Sequence, residues 1–187
     1  MYDDFDKFEL VIPAQDYWDE RAEKFVTVDS GILVLKHNLI SLNKFESRNK
    51  IPLFSRNPIT RDQRIDYVKC MLINEVKDEN IFLSITNADL KKVDEYINDS
   101  MTATVFSGRK ERNISGRFIT AELVYYWMAA FNIPYYPCEE WHLNKLLTLI
   151  KVCSEEQKGP QKKSRRDAMM DQRALNEMRK KQLNTKG

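Results

Sequence analysis

The sequence contains little of what interrupts or cross-links a chain: five glycines, six prolines and three cysteines among 187 residues. So few glycines and prolines argue against a collagen-like or low-complexity protein. An odd number of cysteines argues against a disulfide framework and predicts reduced thiols, as in the cytosol. No apolar run reaches eighteen residues and the N-terminus is acidic, so we expect neither a transmembrane helix nor a signal peptide. These absences predict a soluble protein of the cytoplasm.

Charge is balanced overall but unevenly placed along the chain. The formal net charge is +2, with 42% hydrophobic and 31% charged residues, a composition typical of a globular protein. From Glu155 to the C-terminus, ten Lys and Arg residues stand against five Asp and Glu, and there is no aromatic residue. The sequence therefore predicts a mildly acidic body that carries a basic tail.

The first part of the chain, residues 1–56, is predicted to be rich in β structure. Three segments have the alternating or apolar pattern of strands: Phe8–Ile12, Lys24–Val28 and Ile32–Leu35. We expect two or three antiparallel strands, with Tyr17-Trp18-Asp19 as a loop that packs over them. A short helix is expected over residues 38–49, because Leu39, Leu42 and Phe45 recur at helical spacing.

Residues 57–154 are predicted to form a helical body. Thr60 begins a capping box with Gln63, and Thr86 or Asn87 is expected to cap a further helix. Two β-branched runs, Met101–Phe106 and Ile114–Ile119, predict a β-hairpin with an exposed polar loop.

The most apolar predicted helix runs from a cap at Thr120 to Ala130. It is apolar nearly all round, which is typical of a helix that is central in the core or covered by a partner. Pro137 suits the first position of the next helix, which is expected to continue through Cys153. The Gly159-Pro160 break then separates the body from the tail.

These elements predict an α+β fold in three parts. A small N-terminal antiparallel β region, residues 1–56, precedes a mainly helical body with one β-hairpin, residues 57–154. A basic C-terminal tail, residues 155–187, is expected to be helical or disordered.

One pair of residues invites a chemical interpretation. Cys138 and His142 are four residues apart, and so share a face of the predicted helix. A zinc site would need further ligands, and a nucleophile–base pair would need an oxyanion-binding turn; the sequence offers neither. We therefore predict no catalytic residue, metal ligand or cofactor, and a chain that is not an enzyme.

The basic tail is open to three interpretations: a solvated disordered end, a nucleic-acid arm that neutralises phosphates, or a partner-binding helix with an apolar stripe. The absence of interleaved aromatic residues counts against nucleic acid. Tyr135 and Tyr136, at the break between two helices, are predicted to be partly exposed. The candidate partner-binding residues are Tyr135, Tyr136, Lys162, Lys163, Arg165, Arg166, Met169, Met170, Leu175 and Met178.

Several stretches, which are spread over most of the length of the chain, have the pattern of one known family. They are Tyr17–Asp19, Leu39–Ser47, Met101–Thr104, Ile119–Met128, Asn132–Pro134, Glu140–Ile150 and the closing Arg165–Gly187. The strongest is Ile119–Met128, Ile-Thr-Ala-Glu-Leu-Val-Tyr-Tyr-Trp-Met. Together they resemble the tail assembly chaperones of long-tailed bacteriophages, the chaperones encoded before the tape measure protein.

The resemblance implies a non-catalytic assembly factor of the host cell cytoplasm. It implies binding to the tape measure protein and recruitment of tail tube protein during virion tail morphogenesis, with self-association as a further possibility. It implies no membrane and no small-molecule substrate. Two alternatives stay open: a phage structural protein of the baseplate or connector, and a nucleic-acid-binding accessory protein that acts through the basic tail.

Overall fold

The computed structural model describes residues 6–19, 23–55, 58–106, 118–158 and 165–183. Helices predominate in these residues, and the four strands, paired antiparallel, lie in the N-terminal part, so the predicted α+β class is confirmed. By its internal contacts the chain falls into two compact units, Met1–Cys153 and Ser154–Gly187.

The N-terminal β structure is one ribbon with an interruption. Its four strands are β1 (Phe8–Ile12), β2 (Gln15–Asp19), β3 (Lys24–Val28) and β4 (Gly31–Leu35). β1 pairs with β4 and β2 with β3, both antiparallel. The same register continues from the Ile12–Gly31 pair to the Gln15–Val28 pair. The interruption falls at Pro13, which has no backbone N–H for a ladder.

The expectation that Tyr17-Trp18-Asp19 forms a loop over the strands is wrong, because all three residues belong to β2. Trp18 lies opposite Phe25 of β3, and their rings meet edge to face with centroids 4.9 Å apart. Cross-strand aromatic pairs of this kind stabilise a two-stranded ribbon. The aromatic side chain of Trp18 therefore takes part in strand pairing and not in a loop that packs over the strands.

The first three α-helices begin at capping residues that are local in sequence. α1 (Leu39–Asn49), α2 (Arg61–Met71) and α3 (Asn87–Asn98) all begin with capping boxes, formed by Asn38 with Ser41, Thr60 with Gln63, and Thr86 with Asp89. In each box the side chains satisfy backbone amides that have no partner inside the helix. The predicted cap at Thr60 is confirmed, and Thr86 rather than Asn87 caps α3. A 3-10 helix, Glu79–Ser84, lies between α2 and α3.

The prediction of a β-hairpin in the body is wrong for the first of its two runs. Met101–Phe106 contains no strand, and Val105 is 87% exposed. The Asp99 carboxylate accepts a hydrogen bond from the Met101 amide at 2.9 Å, and the Thr102 hydroxyl accepts one from the Thr104 amide at 3.2 Å. These local bonds turn the backbone away from a ladder. The predicted loop and most of the second run, residues 107–117, lie outside the described residues.

The helix expected to run from Pro137 through Cys153 is divided. A single turn, α5 (Tyr135–Cys138), is separated by four residues from α6 (Leu143–Lys158). The amide of Leu143 donates to the backbone oxygen of His37 at 2.9 Å, and the amide of Asn144 donates to His142 Nδ1 at 3.3 Å. The start of α6 is therefore fixed by contact with the end of the β ribbon, a tertiary effect that helical spacing does not reveal.

Two apolar cores lie on either side of α1. The first joins the ribbon to α2 and α3, and its central side chains include Leu10, Ile12, Leu33, Leu35, Phe45, Tyr67, Val68 and Leu90. The second joins α1 to α4 (Ala121–Ala130) and α6, and includes Leu39, Leu42, Ala121, Val124, Met128, Leu143 and Leu146. Because Phe45 belongs to one core and Leu42 to the other, α1 links both. In the described part of the tail, α7 runs from Arg165 to Leu183.

Candidate functional site

The outer side of α4 is the first part of a candidate binding surface. The helix is apolar nearly all round, yet only Ala121, Val124 and Met128 are fully buried. Tyr126 is 66% exposed. Glu122 is exposed as well, and it lies four residues before Tyr126 on the same side of the helix. The core therefore covers one side of α4 and leaves a second side, with a large aromatic ring, facing solvent.

The α5 turn supplies the second part of this surface. Tyr135 is 49% exposed and Tyr136 is 72% exposed, so the predicted exposure of both is confirmed. The rings of Tyr125 and Tyr135 meet edge to face at 5.7 Å, which joins α5 to α4. Each of these two rings is followed in the chain by a more exposed tyrosine. We call Tyr125, Tyr126, Tyr135 and Tyr136 the tyrosine surface.

The electrostatic character of the tyrosine surface is acidic. Glu122 lies one helical turn before Tyr126, and Glu139 follows the α5 turn, whereas Glu140 lines a separate cleft with Lys7, Lys36 and Lys44. The Tyr125 hydroxyl donates a hydrogen bond to Glu139 Oε2 at 3.4 Å. Burial and then the Glu139 carboxylate raise the pKa of Tyr125, so its phenol stays protonated. The surface thus combines phenol rings with negative charge, which suits an apolar partner that carries cations.

A buried carboxylate holds α4 in place beneath this surface. Glu46 of α1 accepts hydrogen bonds from the Ala121 amide at 2.7 Å and from the Leu53 amide at 3.2 Å. Burial raises the pKa of Glu46, although both amide bonds act to lower it. The first amide of α4 has no partner inside the helix, so Glu46 and the Thr120 cap together satisfy the end of α4.

The apolar stripe of α7 is the second candidate surface. Met169, Met170, Leu175 and Met178 are between 49% and 63% exposed. Met170, Ala174 and Met178 follow one another at intervals of four residues and so lie along one side of the helix. Of the predicted basic residues, Arg165 and Arg166 begin α7, and Lys162 and Lys163 lie outside the described residues. The predicted partner-binding roles of all these residues remain predictions.

A third exposed apolar feature, which the sequence did not predict, is the Trp18–Phe25 pair near the end of the ribbon. Trp18 is 45% exposed and Phe25 is 71% exposed. Pairing β2 with β3 in the register that β1 and β4 already use would have placed these rings opposite each other. That prediction requires Gln15–Asp19 to be a strand, whereas Tyr17-Trp18-Asp19 was expected to be a loop.

Both histidines of the chain lie in a buried polar network between the two cores. Neither His37 nor His142 is exposed, and their ring centroids are 5.0 Å apart. His37 Nδ1 shares a hydrogen bond of 2.5 Å with the Tyr67 hydroxyl, and the His37 amide donates to the Tyr96 hydroxyl. Among the residues that the structure describes, none forms a hydrogen bond with His37 Nε2. Burial and then His142 lower the pKa of His37 to about 3, so it is neutral in the folded protein.

His142 is held as one neutral tautomer by the same network. Its Nε2 lies 3.2 Å from the backbone oxygen of Tyr96, an atom that can only accept, so Nε2 carries the proton. Its Nδ1 accepts from the amide of Asn144. Burial lowers the pKa of His142. Both ring nitrogens are therefore used to fix the ends of α3 and α6.

Cys138 does not have the environment of an activated nucleophile. The thiol is buried, and burial raises its pKa, which favours the less reactive protonated form. Across the described ranges, no three His, Cys, Asp or Glu side chains are grouped closely enough to hold a metal ion. Within those same ranges, no helix has the length and apolar character needed to cross a membrane.

Comparison of the chain with protein-family models, with curated proteins and with solved structures gives no match.

Proposed function

We propose that this chain is a tail assembly chaperone of the long-tailed phage type, which works by binding and not by catalysis. Its client is the tape measure protein, whose apolar helical faces contact the tyrosine surface. By occupying those faces it keeps the client soluble until tail tube subunits assemble around it. The observation that carries the proposal is the exposure of Tyr126, Tyr135 and Tyr136 on and beside the most apolar helix of the body.

The chemistry of the tyrosine surface supports a helical protein client. Tyrosine provides a large rigid ring at a small entropic cost, and it is enriched in protein–protein interfaces. An amphipathic helix presents apolar residues at intervals of three and four, which such a surface can cover. Many copies, each with modest affinity, would coat a long client by mass action.

Co-expression with a tape measure protein tests the proposal. With the wild-type chain, we expect most of the client in the soluble fraction. The Tyr126→Ser and Tyr136→Ser double variant removes exposed rings that do not belong to either core, so it should fold and yet leave the client insoluble. Phe25→Ser is the matched control, because it removes a similarly exposed ring from β3, outside the tyrosine surface, and should leave client solubility as in the wild type. Equal client solubility with and without the chain would reject the proposal.

The two alternative functions predict other outcomes. Stable recovery of the chain in purified virions would favour a baseplate or connector protein. Duplex binding with a steep salt dependence, lost on deletion of residues 158–187, would favour a nucleic-acid-binding protein.

A further inference from the structure

We propose that a cavity between α2 and α3 is a binding site for a small, uncharged, apolar molecule: one aromatic ring with a small alkyl substituent. The cavity has a volume of about 190 Å³, and residues 53, 54 and 59, from the segment between α1 and α2, complete its lining. It shares no residue with the tyrosine surface, so the proposal does not depend on the proposed client.

The interior of the cavity is apolar because of the spacing of residues along α3. Leu90, Val93 and Ile97 recur at intervals of three and four, so they lie along one side of that helix. Leu90 and Val93 are buried in the first core, whereas Ile97 and Leu53 are half-buried. A ligand in the cavity would therefore be surrounded mainly by aliphatic side chains.

The polar side chains that line the cavity bond to the protein itself. Arg64 pairs with the Asp94 carboxylate. Asn98 Nδ2 donates to the backbone oxygen of Asp94 at 2.7 Å, and the Tyr67 hydroxyl shares a hydrogen bond with His37 Nδ1. A charged ligand would leave water without gaining an uncommitted counter-charge, which costs free energy. These bonds therefore favour an uncharged ligand over a carboxylate or an amine.

The volume of the cavity sets the size of the ligand. Apolar cavities of about 150 Å³, lined by Leu, Ile and Phe, bind benzene. A cavity of about 190 Å³ therefore has room for one aromatic ring with a small alkyl substituent, as in toluene. Asn98 is exposed, and Arg64 and Asp94 are half-buried, so the polar side of the cavity faces solvent and gives the ligand an entry path.

A methyl NMR titration of the full chain with toluene tests the proposal. We expect the methyl resonances of Leu53, Leu90, Val93 and Ile97 to shift together, with a dissociation constant of about 1 mM or tighter. Benzoate has the same ring with a negative charge, so it is the matched ligand control and should bind at least about tenfold more weakly. If these methyl groups do not respond to toluene up to its solubility in water, or if benzoate binds equally well, the proposal is overturned.

Filling variants separate the cavity from binding of toluene elsewhere on the chain. Ile97→Phe places a larger side chain in the lining, so it should weaken toluene binding at least about tenfold. Ile65→Phe makes the same change at a half-buried position of α2 outside the cavity, and should bind toluene as the wild type does. Leu53→Phe is a second filling variant, in case Ile97→Phe does not fold. Unchanged toluene affinity in a folded filling variant would also overturn the proposal.

Discussion

Acid should destabilise this protein through His37, and the size of the effect can be worked out from the buried network. The His37 pKa is about 3 in the folded chain and 6.5 for the unperturbed group. Below pH 6.5, His37 therefore binds a proton in the unfolded chain but not in the folded chain, so the free energy of unfolding falls as pH falls. Each pH unit is equivalent to about 1.4 kcal/mol, so lowering the pH to about 5 should cost about 2 kcal/mol.

A variant without the titrating ring isolates this contribution. In His37→Asn the amide oxygen can still bond the Tyr67 hydroxyl, but the side chain cannot take up a proton. The lowered pKa of His142 also makes stability fall as pH falls, whereas the raised pKa of Glu46 makes stability rise as pH falls. Both groups are present in wild type and variant, so the difference between the two proteins reports His37.

Urea unfolding at about pH 7.5 and about pH 5 measures the difference. The wild type should lose about 2 kcal/mol more unfolding free energy than His37→Asn over this range. At about pH 7.5 His37 is neutral in both the folded and the unfolded chain, so its protonation does not contribute to stability. Any difference in unfolding free energy between the wild type and His37→Asn at this pH then comes from packing. Equal losses in the two proteins would refute the reasoning, since His37 would then titrate alike in the folded and unfolded chains.

Three further predictions concern the body. Glu46→Ala should lower the unfolding free energy by about 2–4 kcal/mol in urea unfolding, because the amides of Ala121 and Leu53 lose their acceptor; a change below about 0.5 kcal/mol would contradict this. Thr86→Ala should cost about 1 kcal/mol through loss of the α3 cap, and no change in the unfolding midpoint would count against it. In the native chain, a thiol reagent should label the partly exposed Cys153 before the buried Cys138, and the reverse order by mass spectrometry would be evidence against the packing described.

The sequence predicted those parts of the fold whose causes are local. The box at Thr60 and the cap at Thr86, one of the two residues proposed for it, form between residues three apart, and the helix after Thr120 has a cap and a clear apolar pattern. Such features are complete within one turn of chain, so a single sequence is sufficient to find them.

The errors arose where contacts distant in sequence, or side-chain bonds to the backbone, decide the structure. The break before α6 follows from the bond between Leu143 and His37, which are more than 100 residues apart. The run from Met101 has strand-like residues, but the Asp99 carboxylate turns the backbone instead. The Trp18–Phe25 pair required knowledge of the ribbon register.

The candidate site was predictable in part. Tyr135 and Tyr136 follow the helix break at Asn132-Ile133-Pro134. Because they lie at the break between two helices, their side chains were predicted to be partly exposed, and both are. The helix that carries Tyr126 was expected to be central in the core or covered by a partner, because it is apolar nearly all round. Only the packing of α4 against α1 and α6 shows that one side of the helix is left uncovered.

The central claim, that the tyrosine surface binds a helical client, is tested most directly by calorimetric titration of a purified tape measure fragment into this chain. We predict binding with a negative heat-capacity change, as expected when apolar surface is buried, and affinity at least about tenfold weaker for the Tyr126→Ser and Tyr136→Ser double variant than for Phe25→Ser. Equal affinity of the double variant and the wild type, or no binding by the wild type, would contradict the claim.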